Sequence, residues 1–121
     1  MGGVETPTTQ PTNETGGGGT IKVQKSGNVV QLLLFGKFKN INGGTYTTIC
    51  TLPDGYKPSI DTIMESVSYS STPSGKSFKY LIRITTSGLV SVALYYSDST
   101  PTPTPVTEIY ISQNIIFLTN N

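Results

Sequence analysis

The 121-residue chain contains no histidine, no tryptophan and a single cysteine, Cys50. Without an imidazole there is no Ser-His triad, no histidine general base and no His-containing zinc site. One thiol forms neither an intrachain disulfide nor a CxxC metal pair, so Cys50 is expected to pack in a core. Charge is scarce as well: Asp, Glu, Lys and Arg make up 12% of the chain, with a net charge of +1, against roughly 25% charged residues in ordinary globular domains. No basic stripe of the kind that tracks a phosphate backbone is present, and no nucleic-acid partner is expected. No apolar run approaches the roughly 18 residues of a membrane span, and Met1-Gly2-Gly3-Val4-Glu5 lacks the basic and apolar stretches of a secretion signal. These absences predict a chain made in the cytoplasm, without membrane insertion. The carboxylates Asp54, Asp61, Glu65, Asp98 and Glu108 include no closely spaced pair, which argues against glycosidase-type catalysis. Neither catalytic residues nor a metal or cofactor is expected.

Hydroxyl side chains fill the space that charge leaves: 19 Thr and 13 Ser are present, a composition suited to exposed strand faces rather than helices. Residues 1–19 carry one sizeable apolar side chain, Val4, among six glycines and two prolines, too little to repay the entropy of ordering. They read as a flexible linker or arm, hinged at Gly16 to Gly19, ahead of a folded domain over residues 20–121. Within the arm, Met1-Gly2 with Thr6 fits a myristoylation pattern and Asn13-Glu14-Thr15 a glycosylation sequon. Both are expected to be chance matches in a Thr- and Gly-rich tract.

From Thr20 onward apolar residues recur at every second position, and clusters of Gly, Pro, Asn and Ser break the runs every 8 to 12 residues or so. The pattern predicts an all-β, antiparallel sandwich or barrel of seven or eight strands, with no helix beyond one or two turns. Ile21 and Val23 lead to a turn at Ser26-Gly27-Asn28. Val29 to Lys39 places Val30, Leu32, Leu34, Gly36 and Phe38 on one face and Val29, Leu33 and Phe35 on the other, which predicts a central strand covered on both sides. After Asn42-Gly43-Gly44, the residues Tyr46, Thr48, Cys50 and Leu52 alternate. Ile60 to Ser70 puts Ile63, Glu65, Val67 and Tyr69 on one side and ends at Pro73-Ser74-Gly75. Phe78, Tyr80, Ile82 and Ile84 give the clearest alternation, and Thr86-Ser87-Gly88 turns the chain into Val90, Val92 and Leu94. The last strand, from about Val106 to Leu118, ends apolar on both faces, as a central strand or a subunit interface would.

Three segments in order form a distinctive series: Ser26-Gly27-Asn28-Val29-Val30; then Thr48-Ile49-Cys50-Thr51-Leu52-Pro53-Asp54-Gly55-Tyr56-Lys57-Pro58; then Ile84-Thr85-Thr86-Ser87-Gly88-Leu89-Val90-Ser91-Val92. Over residues 20–97 or so the series resembles the C-terminal head modules of tail-fibre and baseplate receptor-binding proteins of phages that infect Gram-positive bacteria, with Lys57 where that family often carries Arg. The resemblance implies a β-sandwich or barrel head, a homotrimer, an arm leading back to other virion tail or baseplate subunits, and an outward surface for a host cell-wall saccharide. It places the protein on the virion. Read physically, Pro53, Asp54, Gly55, Tyr56 and Pro58 form a rigid corner: Pro53 ends ladder donation, Gly55 permits positive φ, and Pro58 fixes the exit. Tyr56 is expected to be inserted and to pin the corner.

A saccharide site combines an aromatic face with planar polar groups. The candidates are Tyr95, Tyr96, Asp98 and Arg83. Consecutive tyrosines in a strand point to opposite faces, and the alternative for each is packing against the core or a subunit. Arg83, the sole arginine, offers a planar fork for a carboxylate or a pair of hydroxyls; the alternative is a solvated or cross-strand charge beside Glu65 or Asp98. The alternating Thr-Pro run from Thr100 to Pro105 reads as a stiff extended spacer. Two rival functions remain open at this level: a structural virion protein that binds only other subunits, and a secreted bacterial carbohydrate-binding module, which would ordinarily carry a signal peptide and tryptophan.

Overall fold

The computed structural model describes residues 4–5, 19–38, 41, 43–71, 77–96 and 109–120. Among the described residues, eight strands make two antiparallel sheets packed as a β-sandwich. They are β1 (Val4–Glu5), β2 (Thr20–Ser26), β3 (Val29–Phe38), β4 (Thr47–Thr51), β5 (Thr62–Ser71), β6 (Ser77–Ile84), β7 (Leu89–Tyr96) and β8 (Ile109–Leu118). One sheet has the order β1-β2-β3-β8 and the other β4-β7-β6-β5. In the second sheet β5, β6 and β7 are successive hairpin strands and β4 returns beside β7, the Greek-key arrangement. No helix of the described residues is long and apolar enough to cross a membrane.

Period-2 alternation decides which side chains meet between the sheets. Ile21 and Val23 of β2, Val30, Leu32, Leu34 and Phe38 of β3, and Ile109, Ile111, Ile115 and Phe117 of β8 are buried on one side of the core. Phe78, Tyr80, Ile82 and Ile84 of β6 with Val90, Val92 and Leu94 of β7 face them from the other. The Tyr80 hydroxyl is satisfied within this interior by Gln113, whose Nε2 donates to it at 2.9 Å across the sandwich. A buried hydroxyl left unpaired would oppose folding. On β4 the ladder to β7 skips Ile49, pairing Thr48 with Ser91 and Cys50 with Val90. This bulge lets Ile49 and Cys50 both be buried although they are consecutive. Burial pushes the Cys50 thiol up to about 12 by desolvating its thiolate.

Two strands settle points that the sequence pattern left open or stated only in part. β3 is central, between β2 and β8, and pairs with β8 from Val29↔Leu118 to Phe38↔Ile109 without interruption. Its second face is nevertheless open: Val29 is 44% and Phe35 47% exposed. Of the two readings of β8, a central strand or a subunit interface, the first does not hold, since among the described residues β8 lies at the edge of its sheet, and Ile116 and Leu118 project outward at 64% and 59% exposure. The two-sided apolar pattern therefore marks an outer face that no other part of the described chain covers.

The arm contributes more than a joint. Val4 pairs with Gln24 and Glu5 with Val23, extending the sheet beyond β2. Gly19, the last of the glycine run, packs so closely on the Phe38 ring that a Cβ there would collide with it. The rest of the predicted linker, the Pro73-Ser74-Gly75 turn, Tyr69's side chain, and the Thr-Pro run lie outside the described residues.

The three segments of the distinctive series converge at one end of the sandwich. Lys25 Nζ donates to the Gly55 carbonyl at 2.9 Å and lies 5.0 Å from the centroid of the Tyr56 ring. Leu52 N–H donates to Gly88 O at 2.8 Å, Ser59 N–H to Leu118 O at 2.9 Å, and Thr119 N–H to Asn28 O at 2.9 Å. Pro58 bridges Thr119, and Gly55 takes φ 88°. Tyr56 is buried, as the corner reading expected. Pro53, Asp54, Gly55, Tyr56 and Pro58 thus form a clasp that ties both sheets together, and at its tip the half-buried Lys57 lies 2.9 Å from the exposed Asp54 carboxylate.

Candidate functional site

The outer face of the β4-β7-β6-β5 sheet carries the strongest grouping of binding-type side chains. Strand pairing sets its rows: Arg83 of β6 lies opposite Ser91 of β7 and Ile63 of β5, and Lys79 lies opposite Tyr95 and Val67. Thr48 of β4 extends the Arg83 row, and its hydroxyl is 3.0 Å from that of Ser91. Just ahead of β4, Gly44 N–H donates to Leu94 O at 2.9 Å, which holds residues 43–46 along β7. Tyr46 is thereby carried over β7 to β6, and its ring centroid lies 4.1 Å from the Arg83 guanidinium carbon. On the same outer side of β7, the small residues Ser91 and Ala93 are buried.

Arg83 is half-buried, and its Nε has no hydrogen-bond partner. An unpaired buried N–H is unusual enough to call for an explanation. The two carboxylates that flank its row along β5 are engaged elsewhere. Glu65 Oε2 lies 3.5 Å from Lys79 Nζ, and Asp61 Oδ1 accepts from the Thr86 N–H at 2.9 Å. The guanidinium is consequently fixed by the ring on one of its flat sides while its charge is left without a carboxylate among the described residues.

Of the residues expected to bind, Tyr95 and Arg83 share this face. Tyr95 is half-buried two rows from Arg83, and its hydroxyl donates to the Gly44 carbonyl at 3.4 Å. Tyr96 points the other way, as alternation requires, and stacks on Phe78 with centroids 5.9 Å apart and planes inclined by 10°. It packs against the core, the alternative recognised for it from the sequence. Asp98 lies outside the described residues. Sequence reasoning missed Tyr46, which reads there as one more alternating strand residue. No local signal marks it, because its partner Arg83 stands on a distant strand.

A separate cavity of about 290 Å³ lies on the opposite side of the sandwich, lined by Lys22, Val23, Gln24, Gln31 and Leu33. The Gln24 amide donates to Gln31 across its floor. It is formed by β2 and β3, and neither Tyr95 nor Arg83 lines it. Among the described residues no group of three or more His, Cys, Asp or Glu side chains converges as a metal site would require. Compared with known protein families and with curated proteins, the chain matches no family model and no individual sequence.

Proposed function

We propose that the protein is a non-catalytic receptor-binding head of a phage tail fibre or baseplate, which recognises a cell-wall or surface saccharide of a Gram-positive host. The observation that carries this reading is the Tyr46–Arg83 stack on an open sheet face with Tyr95 nearby. An aromatic ring offers apolar area to a sugar's C–H surface, and a guanidinium held in plane orients its oxygens. The ordered segment series supports the same family. Its three parts serve as the clasp of the sandwich, so they account for the fold of such a head, while the binding surface is a separate face. Single-site saccharide affinities are weak, and a homotrimer repeated on a virion raises them through effective concentration. In this arrangement the arm connects the head to other tail or baseplate subunits, and the protein resides on the virion.

The exposed apolar face of β3 and β8 favours a second reading, a structural virion protein that binds only neighbouring subunits. Binding of the fluorescently labelled protein to a panel of Gram-positive strains, with competition by their isolated wall polysaccharides, separates the two. The receptor reading expects saturable, strain-restricted and competed binding. No bound strain, together with stoichiometric co-purification with virion subunits, would overturn it in favour of the structural role.

A further inference from the structure

We infer that the Arg83 site takes a saccharide unit bearing an oxyanion, a carboxylate or a phosphate, in preference to a neutral sugar. This rests on the saccharide reading above and narrows it. The only arginine of the chain is placed on the outer face of a sheet with its Nε enclosed and unpaired. Both flanking carboxylates have other partners, Lys79 for Glu65 and the Thr86 amide for Asp61. A guanidinium partly withdrawn from water without a counter-charge is unfavourable, and an external oxyanion removes that penalty where a neutral hydroxyl does so only in part.

Geometry points the same way. Tyr46 covers one flat side of the fork at 4.1 Å and Nε is enclosed, and a planar fork met at its terminal Nη edge matches two oxygens of a carboxylate or phosphate. The hydroxyls of a neutral sugar are usually met by carboxamides as well as charges, and no Asn or Gln stands in the strand rows around Arg83. Those rows hold Thr48, Ser91, Ala93, Leu81, Ile63 and Glu65. The adjoining apolar side chains also lower the local dielectric, which strengthens a charge-assisted bond.

A single arginine makes the test direct, because its Nε–H gives one resolvable signal in ¹⁵N-labelled protein. Titration of the full chain with glucuronate and with inorganic phosphate is expected to shift that signal saturably, while glucose leaves it unmoved. Arg83→Lys, which keeps the charge and loses the fork, is expected to weaken polysaccharide competition about tenfold, with chemical-shift dispersion showing that it remains folded. The source of the oxyanion is separated by treating a competing wall polysaccharide in two ways, carboxyl reduction and removal of phosphate. One treatment is expected to reduce competition at least tenfold. If the doubly treated polymer competes as well as the native one, the oxyanion inference is overturned while the saccharide reading stands. If no polysaccharide competes at all, the saccharide reading fails and this inference falls with it.

Discussion

The Tyr46 ring and the Arg83 guanidinium, contributed by opposite halves of the chain, lie 4.1 Å apart beside the β4-β7-β6-β5 sheet. The contact combines cation–π attraction with the apolar area that the ring removes from water. Tyr46→Ala is expected to destabilise the fold by roughly 1–3 kcal/mol in urea titrations. Tyr46→Phe, which retains the ring, should change stability by less than about 0.5 kcal/mol. Equal losses in the two variants would show that the hydroxyl, not the stack, holds the residue.

Tyr95 and Tyr96 are adjacent in sequence and opposite in role. Tyr96 stacks on Phe78 and packs on the core, so Tyr96→Ala should cost roughly 2–3 kcal/mol of stability. Tyr95→Ala is expected to cost less and to reduce saccharide binding in the competition assay. A Tyr95 variant that unfolds as readily as the Tyr96 variant would remove Tyr95 from the proposed binding face.

Two glycines with positive φ differ in what surrounds them. Gly27 has φ +60 with nothing within 4 Å of an added Cβ, whereas at Gly88, φ +94, a Cβ would meet the Leu52 carbonyl oxygen at 3.2 Å and Lys57 at 3.1 Å. Gly27→Ala should therefore cost only the left-handed conformation, roughly 1–2 kcal/mol. Gly88→Ala should cost more, because it also pushes on the clasp formed by the 53–58 corner. Comparing the two urea midpoints checks the order.

Cys50 titrates near 9 when unfolded and at about 12 in the core. The folded state thus holds a proton that the unfolded state releases above pH 9. Its contribution is complete below that pH and declines between pH 9 and about 12, at about 1.4 kcal/mol per pH unit. The stability difference between the native protein and Cys50→Ala should shrink over that range. A difference independent of pH would mean the thiol is reached by water.

Ile116 projects from the edge strand at 64% exposure, so Ile116→Lys should leave the fold of one chain within about 0.5 kcal/mol of native. If the apolar outer face of β3 and β8 joins the subunits of the proposed trimer, the same change places an unpaired charge in that contact. Light scattering is expected to show the variant dissociating at concentrations where the native protein remains trimeric. A native protein that is monomeric at micromolar concentration would exclude the trimer.

Alternation and turn chemistry are local, and that part of the structure was legible in the residues. Each strand residue's side is set by the one before it, so Phe78, Tyr80, Ile82 and Ile84 could be assigned to one buried face without knowledge of their partners. Gly27, Gly55 and Gly88 marked turns because their positive φ is cheap only for glycine. Tyr56 was legible as a corner anchor because its flanking prolines and glycine leave the backbone little freedom. The all-β class, as a sandwich or barrel, follows from such signals repeated along the chain, and the two separate sheets decide for the sandwich. What tertiary structure alone decided is which strands become neighbours: β4 beside β7, β8 at an edge rather than in the centre, and residues 43–46 laid across β7. These pairings join residues far apart in sequence and depend on how long connections close. Neither the Tyr46–Arg83 stack, nor the Gln113–Tyr80 hydrogen bond, nor the unpaired Arg83 Nε leaves a periodic trace. Each exists only because non-adjacent segments meet, and a side chain's partner across a sheet is not encoded in its own neighbours.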